Sequence, residues 1–148
     1  MIKTLNDIEV ENKTVIVRVD YNVPIEAGVI TNTKKIDDSF DTIDYLVSQN
    51  ARIVLLSHFG RIKTNEDKGK NTLKIVYDYI KGLNKYDILF SSTSFGTELD
   101  NIVANLNKGQ IVLAENTRFL DLEGNMESGC DIQLSMYWAS LADIYIDD

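Results

Sequence analysis

The sequence predicts an α/β fold, a three-layer α/β/α arrangement in which helices cover both faces of a mostly parallel, Rossmann-like open sheet. Short β-branched or aliphatic runs alternate with segments of helical spacing, which is typical of parallel βα units. These runs are almost continuously apolar, as strands covered on both faces require. The chain has 148 residues, a length that fits one domain with one buried core.

The apolar runs define five predicted strands. In chain order they are Thr14–Val19, Arg52–Leu56, Asp87–Phe90, Gln110–Ala114 and Ile144–Ile146. No repeat, linker or low-complexity region interrupts the series, so we expect a single domain without a hinge. The polar, charged segment Ile62–Asn71 is predicted to be a mobile surface loop.

Four segments predict helices, because their apolar residues recur at three- and four-residue spacing. The stripes are Ile36, Phe40, Ile43 and Val47; Leu73, Val76, Tyr77 and Ile80; Leu99, Ile102, Val103 and Leu106; and Leu134, Tyr137, Trp138 and Leu141. Thr33 is predicted to cap the first helix, and Asn71 or Thr72 the second. Gly82 and Gly109 are placed to end the second and third.

Charge and cysteine content narrow the class of protein. A net charge of −8 argues against general nucleic-acid binding, which depends on Lys and Arg neutralising phosphates. Cys130 is the only cysteine, so no internal disulfide can form, which favours a reducing compartment. The sequence also gives no sign of export or membrane insertion. The first residues lack a signal-peptide pattern, and no apolar run approaches the roughly 18 residues that span a bilayer.

From the charge, the cysteine content and these two observations we expect a soluble cytoplasmic protein without nucleic-acid or membrane partners.

Polar and cationic residues follow three of the predicted strands. They are Arg18, Asp20, Tyr21 and Asn22 at the end of the first; Ser57, His58, Phe59, Gly60 and Arg61 after the second; and Glu115, Asn116, Arg118 and Phe119 after the fourth. Because ligands of open α/β sheets bind outside the carboxyl ends of the strands, these residues predict a local cationic pocket. Its arginines suit a small phosphorylated or carboxylated ligand.

Each of these residues also has a purely structural interpretation. His58 could be hydrogen-bonded to the backbone, and Arg61 and Arg118 could form weak surface ion pairs. Asp20 with Asn22 could serve only as turn chemistry. Other site types are excluded more firmly: the sequence has neither of the common glycine-rich phosphate loops, no Gly-x-Ser-x-Gly elbow, and one histidine with one cysteine cannot build a familiar zinc site. No metal site is expected.

Three segments resemble the motifs of phosphoglycerate kinases. Residues 17–24 read Val-Arg-Val-Asp-Tyr-Asn-Val-Pro and resemble the signature Val-Arg-x-Asp-Phe-Asn-Val-Pro, with tyrosine for phenylalanine. Residues 57–61, Ser-His-Phe-Gly-Arg, resemble Ser-His-Leu-Gly-Arg, and residues 115–119, Glu-Asn-Thr-Arg-Phe, resemble Glu-Asn-x-Arg-Phe. The resemblance runs from about Thr4 to Asp148 and covers less than half of a complete kinase.

The resemblance implies a two-domain glycolytic enzyme that transfers a phosphoryl group between 1,3-bisphosphoglycerate and ADP, giving 3-phosphoglycerate and ATP. Residues 1–148 would be a partial N-terminal, phosphoglycerate-binding domain. The C-terminal domain, which holds Mg-ATP or Mg-ADP, would lie outside them, so no cofactor is expected to bind this chain. Asp20 and Asn22 would bind the glycerate hydroxyl and carboxylate region, and His58, Arg61 and Arg118 the 3-phosphate. Tyr21, Phe59 and Gly60 belong to the same substrate-binding motifs.

The chain departs from the family pattern at three points. Lys35 replaces the arginine that the resemblance makes catalytic, the residue placed to stabilise the transferred phosphoryl group. Asp147 replaces an asparagine, and the next family segment, with a histidine and a further arginine, is not among the 148 residues.

Three interpretations remain open. The chain is a fragment of a working kinase; a non-catalytic phosphoglycerate-binding module or decayed homologue; or an interaction protein that pairs through an unfinished sheet edge. Members of the family are usually monomeric, and only the last interpretation requires association.

Overall fold

A parallel five-stranded sheet forms the centre of the computed structural model, which describes residues 9–60, 63–119 and 132–147. Its strands are β1 (Thr14–Arg18), β4 (Arg52–Leu56), β5 (Ile88–Ser91), β6 (Ile111–Ala114) and β7 (Ile144–Asp147). They lie in the order β5-β6-β4-β1-β7, and every neighbouring pair is parallel. A separate antiparallel hairpin consists of β2 (Ile25–Glu26) and β3 (Val29–Ile30).

Six helices accompany the strands in the part of the chain that the structure describes. They are α1 (Lys34–Asp38), α2 (Phe40–Ser48), α3 (Asn65–Lys70), α4 (Lys74–Gly82), α5 (Thr97–Ala104) and α6 (Ile132–Leu141). None of the described helices is long and apolar enough to cross a membrane.

The helices cover both faces of the sheet, which confirms the predicted three-layer α/β/α fold. Alternate strand residues point to opposite faces, so the core has two halves. Ile53 and Leu55 of β4 pack on the face covered by α1, α2 and α4, while Val54 and Leu56 pack on the face covered by α5 and α6. All four side chains are fully buried, because a parallel strand between two helical layers has no solvent-facing side.

The connections explain this division of the helices. The links from β1 to β4 and from β4 to β5 advance in one direction along the sheet, and their α1, α2 and α4 lie on one face. The links from β5 to β6 and from β6 to β7 advance in the opposite direction, and their α5 and α6 lie on the other. Crossovers between parallel strands all have the same handedness. A connection that runs in the opposite direction along the sheet therefore places its helix on the opposite face.

The strand predictions are confirmed to within about one residue at each end. The first predicted helix is interrupted, because Ser39 lies between α1 and α2. The Ser39 hydroxyl donates a hydrogen bond to the Ile36 carbonyl at 2.6 Å. A serine side chain that bonds the backbone in this way competes with the regular helical pattern.

The prediction of a loop over Ile62–Asn71 is wrong for residues 65–70, which form α3; Ile62 lies outside the described residues. The helix buries none of its side chains, so no apolar stripe marks it. A capping box starts it instead: the Thr64 hydroxyl accepts a hydrogen bond from the Asp67 N–H, and the Asp67 carboxylate accepts one from the Thr64 N–H. Such reciprocal bonding satisfies two of the unpaired donors at a helix start.

The predicted caps hold only in part. Thr33 precedes α1, but its hydroxyl donates to the Asp37 carboxylate at 2.8 Å rather than capping the helix. Leu73 is the residue preceding α4, and Thr72 assists by accepting a hydrogen bond from the Lys74 N–H at 3.2 Å.

Of the two predicted helix ends, the one at Gly82 is confirmed and the one at Gly109 is wrong. Gly82 is the last residue of α4, and the left-handed turn falls later, on Asn84 with φ 54°. The α5 helix ends at Ala104, before the predicted Gly109. The β2–β3 hairpin was not predicted. Its turn residues Ala27 and Gly28 have φ values of 50° and 76°, as a two-residue hairpin turn of the I′ type requires.

A buried hydroxyl pair links the loop after β1 to the break between α1 and α2. The Tyr21 side chain is fully buried, and its hydroxyl lies 2.7 Å from the Ser39 Oγ. Because Ser39 donates its own proton to the Ile36 carbonyl, Tyr21 must donate to Ser39. The pair therefore fixes the Tyr21 ring against the start of α2.

We expect Tyr21→Phe to lower the free energy of unfolding by about 1 kcal/mol, because it leaves a buried serine oxygen without its donor. Urea unfolding of Tyr21→Phe, Ser39→Ala and the double variant measures the coupling between the two hydroxyls. Tyr145→Phe, on a half-exposed tyrosine, is the matched control and should change stability little. Strictly additive losses in the double variant would show that the two hydroxyls do not interact.

Candidate functional site

The candidate site lies at the carboxyl edge of three adjacent strands, β6, β4 and β1. We call the residues that follow them, 19–24, 57–60 and 115–119, the rim. The prediction that these loops meet at one edge is confirmed, because hydrogen bonds join them directly. Gly60 N–H donates to Asn22 Oδ1 at 3.0 Å, and Phe59 N–H donates to Asn116 Oδ1 at 3.0 Å.

The first loop of the rim carries an ion pair with α1. The Lys35 ammonium lies 3.1 Å from Asp20 Oδ2 and donates to the Asn22 carbonyl at 3.3 Å. The Asn22 N–H in turn donates to Asp20 Oδ1 at 3.1 Å. About half of each charged side chain is exposed, so water screens the pair and its contribution to stability is small.

The pKa of Asp20 lies below its ordinary value. Partial burial by itself would raise it, but the hydrogen bonds from Lys35 and from the Asn22 N–H, with the positive charges of Lys35 and His58, outweigh that effect. Each of these interactions favours the carboxylate over the neutral acid. Asp20 is therefore ionised at neutral pH, and the positive charge of Lys35 is partly offset.

A cavity of about 300 Å³ opens beside this ion pair, lined by Asp20, Lys35, Asp38 and Ser39. Asp38 is itself paired with Lys34, 2.7 Å away. The cavity is large enough for a small charged group. One anion-binding side chain, Lys35, faces it, together with two carboxylates that favour cations or hydroxyl donors.

The second loop is held by Ser57, whose hydroxyl accepts from the Tyr21 N–H at 2.9 Å and donates to the His58 carbonyl at 2.8 Å. His58 is partly buried and its charge acts on Asp20. Phe59 is buried in the core. Gly60 adopts a left-handed φ of 61°, and a Cβ there would lie 2.8 Å from the Asn71 side chain.

The third loop places a partly buried arginine at the rim. Residues 117–119 form a 3-10 turn after β6, and Arg118 Nη1 donates to the Gly60 carbonyl at 3.5 Å. The Phe119 ring receives the Lys68 ammonium 5.5 Å from its centroid. Among the described residues, Thr117 Oγ1 and Ser94 Oγ are buried without a hydrogen-bond partner.

The rim also contains two buried polar residues to which the sequence analysis gave no role. Asn116 is fully buried and bonded to both neighbouring loops. The Glu115 carboxylate accepts hydrogen bonds from the Thr72 hydroxyl at 2.5 Å and from the N–H groups of Leu73 and Asn116 at 2.7 and 2.8 Å. In the sequence they form a polar pair directly after a buried strand and begin the segment 115–119 that resembles a family motif, but neither signal reveals which backbone groups they bond.

The predicted site residues fall into three groups. Asp20, Asn22, Lys35, His58, Gly60 and Arg118 lie at the rim or beside it. The side chains of Tyr21 and Phe59 are buried, and their N–H groups are already bonded within the protein. Arg61 lies outside the described residues. That any of these residues contacts a ligand stays a prediction. No group of three or more metal-ligating side chains occurs within residues 9–60, 63–119 and 132–147.

Comparison with known proteins decides the family. Residues 5–148 match the sequence model of phosphoglycerate kinase. The chain belongs to the phosphoglycerate kinase family. It is 43% identical over 144 residues to the phosphoglycerate kinase of Lacticaseibacillus casei, an alignment that covers 97% of this chain and 36% of that protein. It is 44% identical over 146 residues to that of Mesomycoplasma hyopneumoniae, with 99% and 36% covered.

Solved phosphoglycerate kinases have the same fold over this region. The structure from Coxiella burnetii superposes with a TM-score of 0.77 at 30% identity, covering 97% of this chain and 34% of that one. The structure from Pyrococcus horikoshii OT3 gives a TM-score of 0.83 at 24% identity, covering 97% and 36%, and so supports the fold alone. The chain thus spans about a third of the length of the phosphoglycerate kinases that it matches.

We expect Gly60→Ala to destabilise the folded chain more than Gly28→Ala. Both glycines have a positive φ, which costs any other residue about 1–2 kcal/mol, but only at Gly60 would the new methyl group collide with a neighbour. The difference between the two variants in urea unfolding isolates the contact with Asn71. Equal losses would indicate that Asn71 moves aside without cost.

Proposed function

We propose that this chain binds 3-phosphoglycerate or 1,3-bisphosphoglycerate and forms the phosphoglycerate-binding part of a phosphoglycerate kinase. The complete protein would transfer a phosphoryl group between 1,3-bisphosphoglycerate and ADP in glycolysis, with Mg-nucleotide held outside these 148 residues. The observation that carries the proposal is the direct hydrogen bonding of all three rim loops, which brings His58, Gly60 and Arg118 together with Asn22.

The chemistry of the rim supports an anionic, hydroxylated ligand. Arg118 and Lys35 provide cationic groups, and His58 can carry a further positive charge when protonated. The net charge of the chain is −8 with this histidine neutral, so the positive charge is a local property of this edge. A guanidinium binds a phosphate through two parallel hydrogen bonds. Asp20 is ionised and can accept a hydrogen bond from a glycerate hydroxyl, while the cavity between Asp20 and Lys35 leaves room for it.

Phosphoryl transfer requires a protein mainly to position the reactants and to place positive charge around the transferred phosphoryl group. Lys35 supplies charge where the family pattern has an arginine, but an ammonium cannot form the planar, two-pronged contact of a guanidinium. This substitution favours a second candidate, a phosphoglycerate-binding module without catalysis. The two candidates share the binding step and differ only in transfer.

Calorimetric titration with 3-phosphoglycerate tests the shared step. We expect the native chain to bind and Arg118→Ala to bind about tenfold more weakly, because a charged hydrogen bond contributes about 1.5–3 kcal/mol. Added salt should weaken binding, since it screens the cationic rim. Lys108→Ala, on an exposed lysine before β6 at the opposite end of the sheet, is the matched control. The absence of heat from a folded native chain would refute the proposal.

The second experiment tests transfer by the chain alone. We expect no ATP from ADP and 1,3-bisphosphoglycerate in a coupled assay, because the family's nucleotide-binding domain is not among these 148 residues and ADP would have no positioned site. A complete phosphoglycerate kinase in the same assay provides the positive control. Production of ATP by the purified chain, at a rate that follows its concentration, would contradict this expectation.

A further inference from the structure

The Asn116 side chain uses every hydrogen bond that an amide can make. Its Oδ1 accepts from the N–H groups of Phe59 and Arg118, both at 3.0 Å. Its Nδ2 donates to the carbonyls of Phe59 and Asn71 at 2.5 and 2.8 Å. An amide offers two acceptor positions and two donors, so the group is completely satisfied, and Asn116 itself has no exposed surface.

The partners fix the orientation of this amide. Two backbone N–H groups face one end and two carbonyls face the other, so exchanging oxygen and nitrogen would place like groups against each other at all four contacts. No aspartate, leucine or serine can satisfy the same four partners. The site is therefore specific for an asparagine amide, unlike the apolar positions around it.

The four bonds connect the parts of the rim that carry its cationic groups. Bonding both the N–H and the carbonyl of Phe59 fixes the backbone between His58 and Gly60. Bonding the Arg118 N–H fixes the start of the arginine side chain relative to that backbone. The Asn71 carbonyl ties the same amide to the segment before α4. Small displacements of a binding group weaken contacts that depend on its geometry.

We infer that Asn116 is a positioning residue for phosphoglycerate binding: without touching the ligand, its amide sets the spacing between the His58–Gly60 backbone and Arg118. The inference rests on the proposed function, because it assigns a role within that binding site. A purely structural role predicts something different. Variants would then lose stability, but the molecules that remain folded would bind with native affinity.

Asn116→Asp separates the two roles. The new carboxylate has nearly the same shape and can still accept from Phe59 and Arg118, but when ionised it faces the carbonyls of Phe59 and Asn71 without a donor. At about pH 7.5 we expect 3-phosphoglycerate to bind the folded variant about tenfold more weakly than the native chain, because a buried group left unsatisfied costs about 1–3 kcal/mol.

Acid should restore much of this loss. Burial and the facing carbonyls raise the pKa of such a carboxyl, and the protonated acid can again donate one of the two missing hydrogen bonds. The nearest charged or titratable groups are Glu115 and Arg118, which flank it along the chain, and His58, next to its partner Phe59, while Lys68 of α3 lies against the neighbouring Phe119 ring. Dividing the native affinity by the variant's affinity at the same pH cancels the titration of these groups and of the ligand. This ratio should therefore fall towards one as the pH is lowered to about 5.

The control is Asn101→Asp, which makes the same chemical change on the exposed surface of α5. It should match the native affinity at every pH. The inference would be overturned by a folded Asn116→Asp that binds 3-phosphoglycerate within about twofold of the native affinity. It would also be overturned by a loss of affinity that is as large in acid as at neutral pH. A folded native chain that binds no 3-phosphoglycerate would overturn the proposed function and this inference with it.

Nuclear magnetic resonance of the native chain provides a second measurement should Asn116→Asp fail to fold. We expect saturation with 3-phosphoglycerate to shift the Asn116 side-chain amide resonances and to slow hydrogen exchange of the Phe59 and Arg118 N–H groups. Binding that leaves all three unchanged, while other rim resonances move, would overturn the positioning role.

Discussion

The parallel register of β6, β4 and β1 is the constraint on which the rest of the structure depends. It pairs Ile53 with both Val15 and Ile111, so the three strands end at the same level and their loops must share one edge. The two helical layers then bury every side chain of β6 and nearly all of β4. Since those layers occupy both faces, the carboxyl edge is the place left for polar groups from distant parts of the chain to converge.

Convergence at this edge removes backbone groups from water, and the rim satisfies them with side chains rather than with further strands. Ser57, Glu115 and Asn116 are all buried, and each bonds backbone of another loop or of the α4 start. A buried polar group is costly when unpaired and specifies one geometry when fully paired. These three residues therefore specify the geometry of the rim through hydrogen bonds, as the sheet does, although here the bonds come from side chains.

How much the sequence predicts depends on whether a feature is encoded locally. The apolar runs locate all five main strands, of which the three central ones, β1, β4 and β6, are buried on both faces, and the loops after these three yield the rim. The α3 helix escapes such reasoning because a polar capping box, Thr64 with Asp67, starts it without an apolar stripe. Tyr21 and Asn116 show a different limit. Each is a single polar residue next to a strand. Tyr21 bonds Ser39 and Asn116 bonds Phe59, and these partners are brought together by the fold, so spacing in the sequence does not reveal them.

Lys35 is where the proposed chemistry and the observed geometry meet. An ammonium has three donors, and two of its contacts in this structure are internal, to Asp20 and to the Asn22 carbonyl. An arginine has five donors in a fixed plane, enough to keep both contacts and still present a two-pronged face to a phosphoryl group. The replacement therefore preserves the sign of the charge beside the cavity while reducing the contacts that can be directed into it. In the proposed kinase this would affect the alignment of the transferred group more than the binding of phosphoglycerate, since His58 and Arg118, the groups proposed to bind the phosphate, are held by a separate set of bonds.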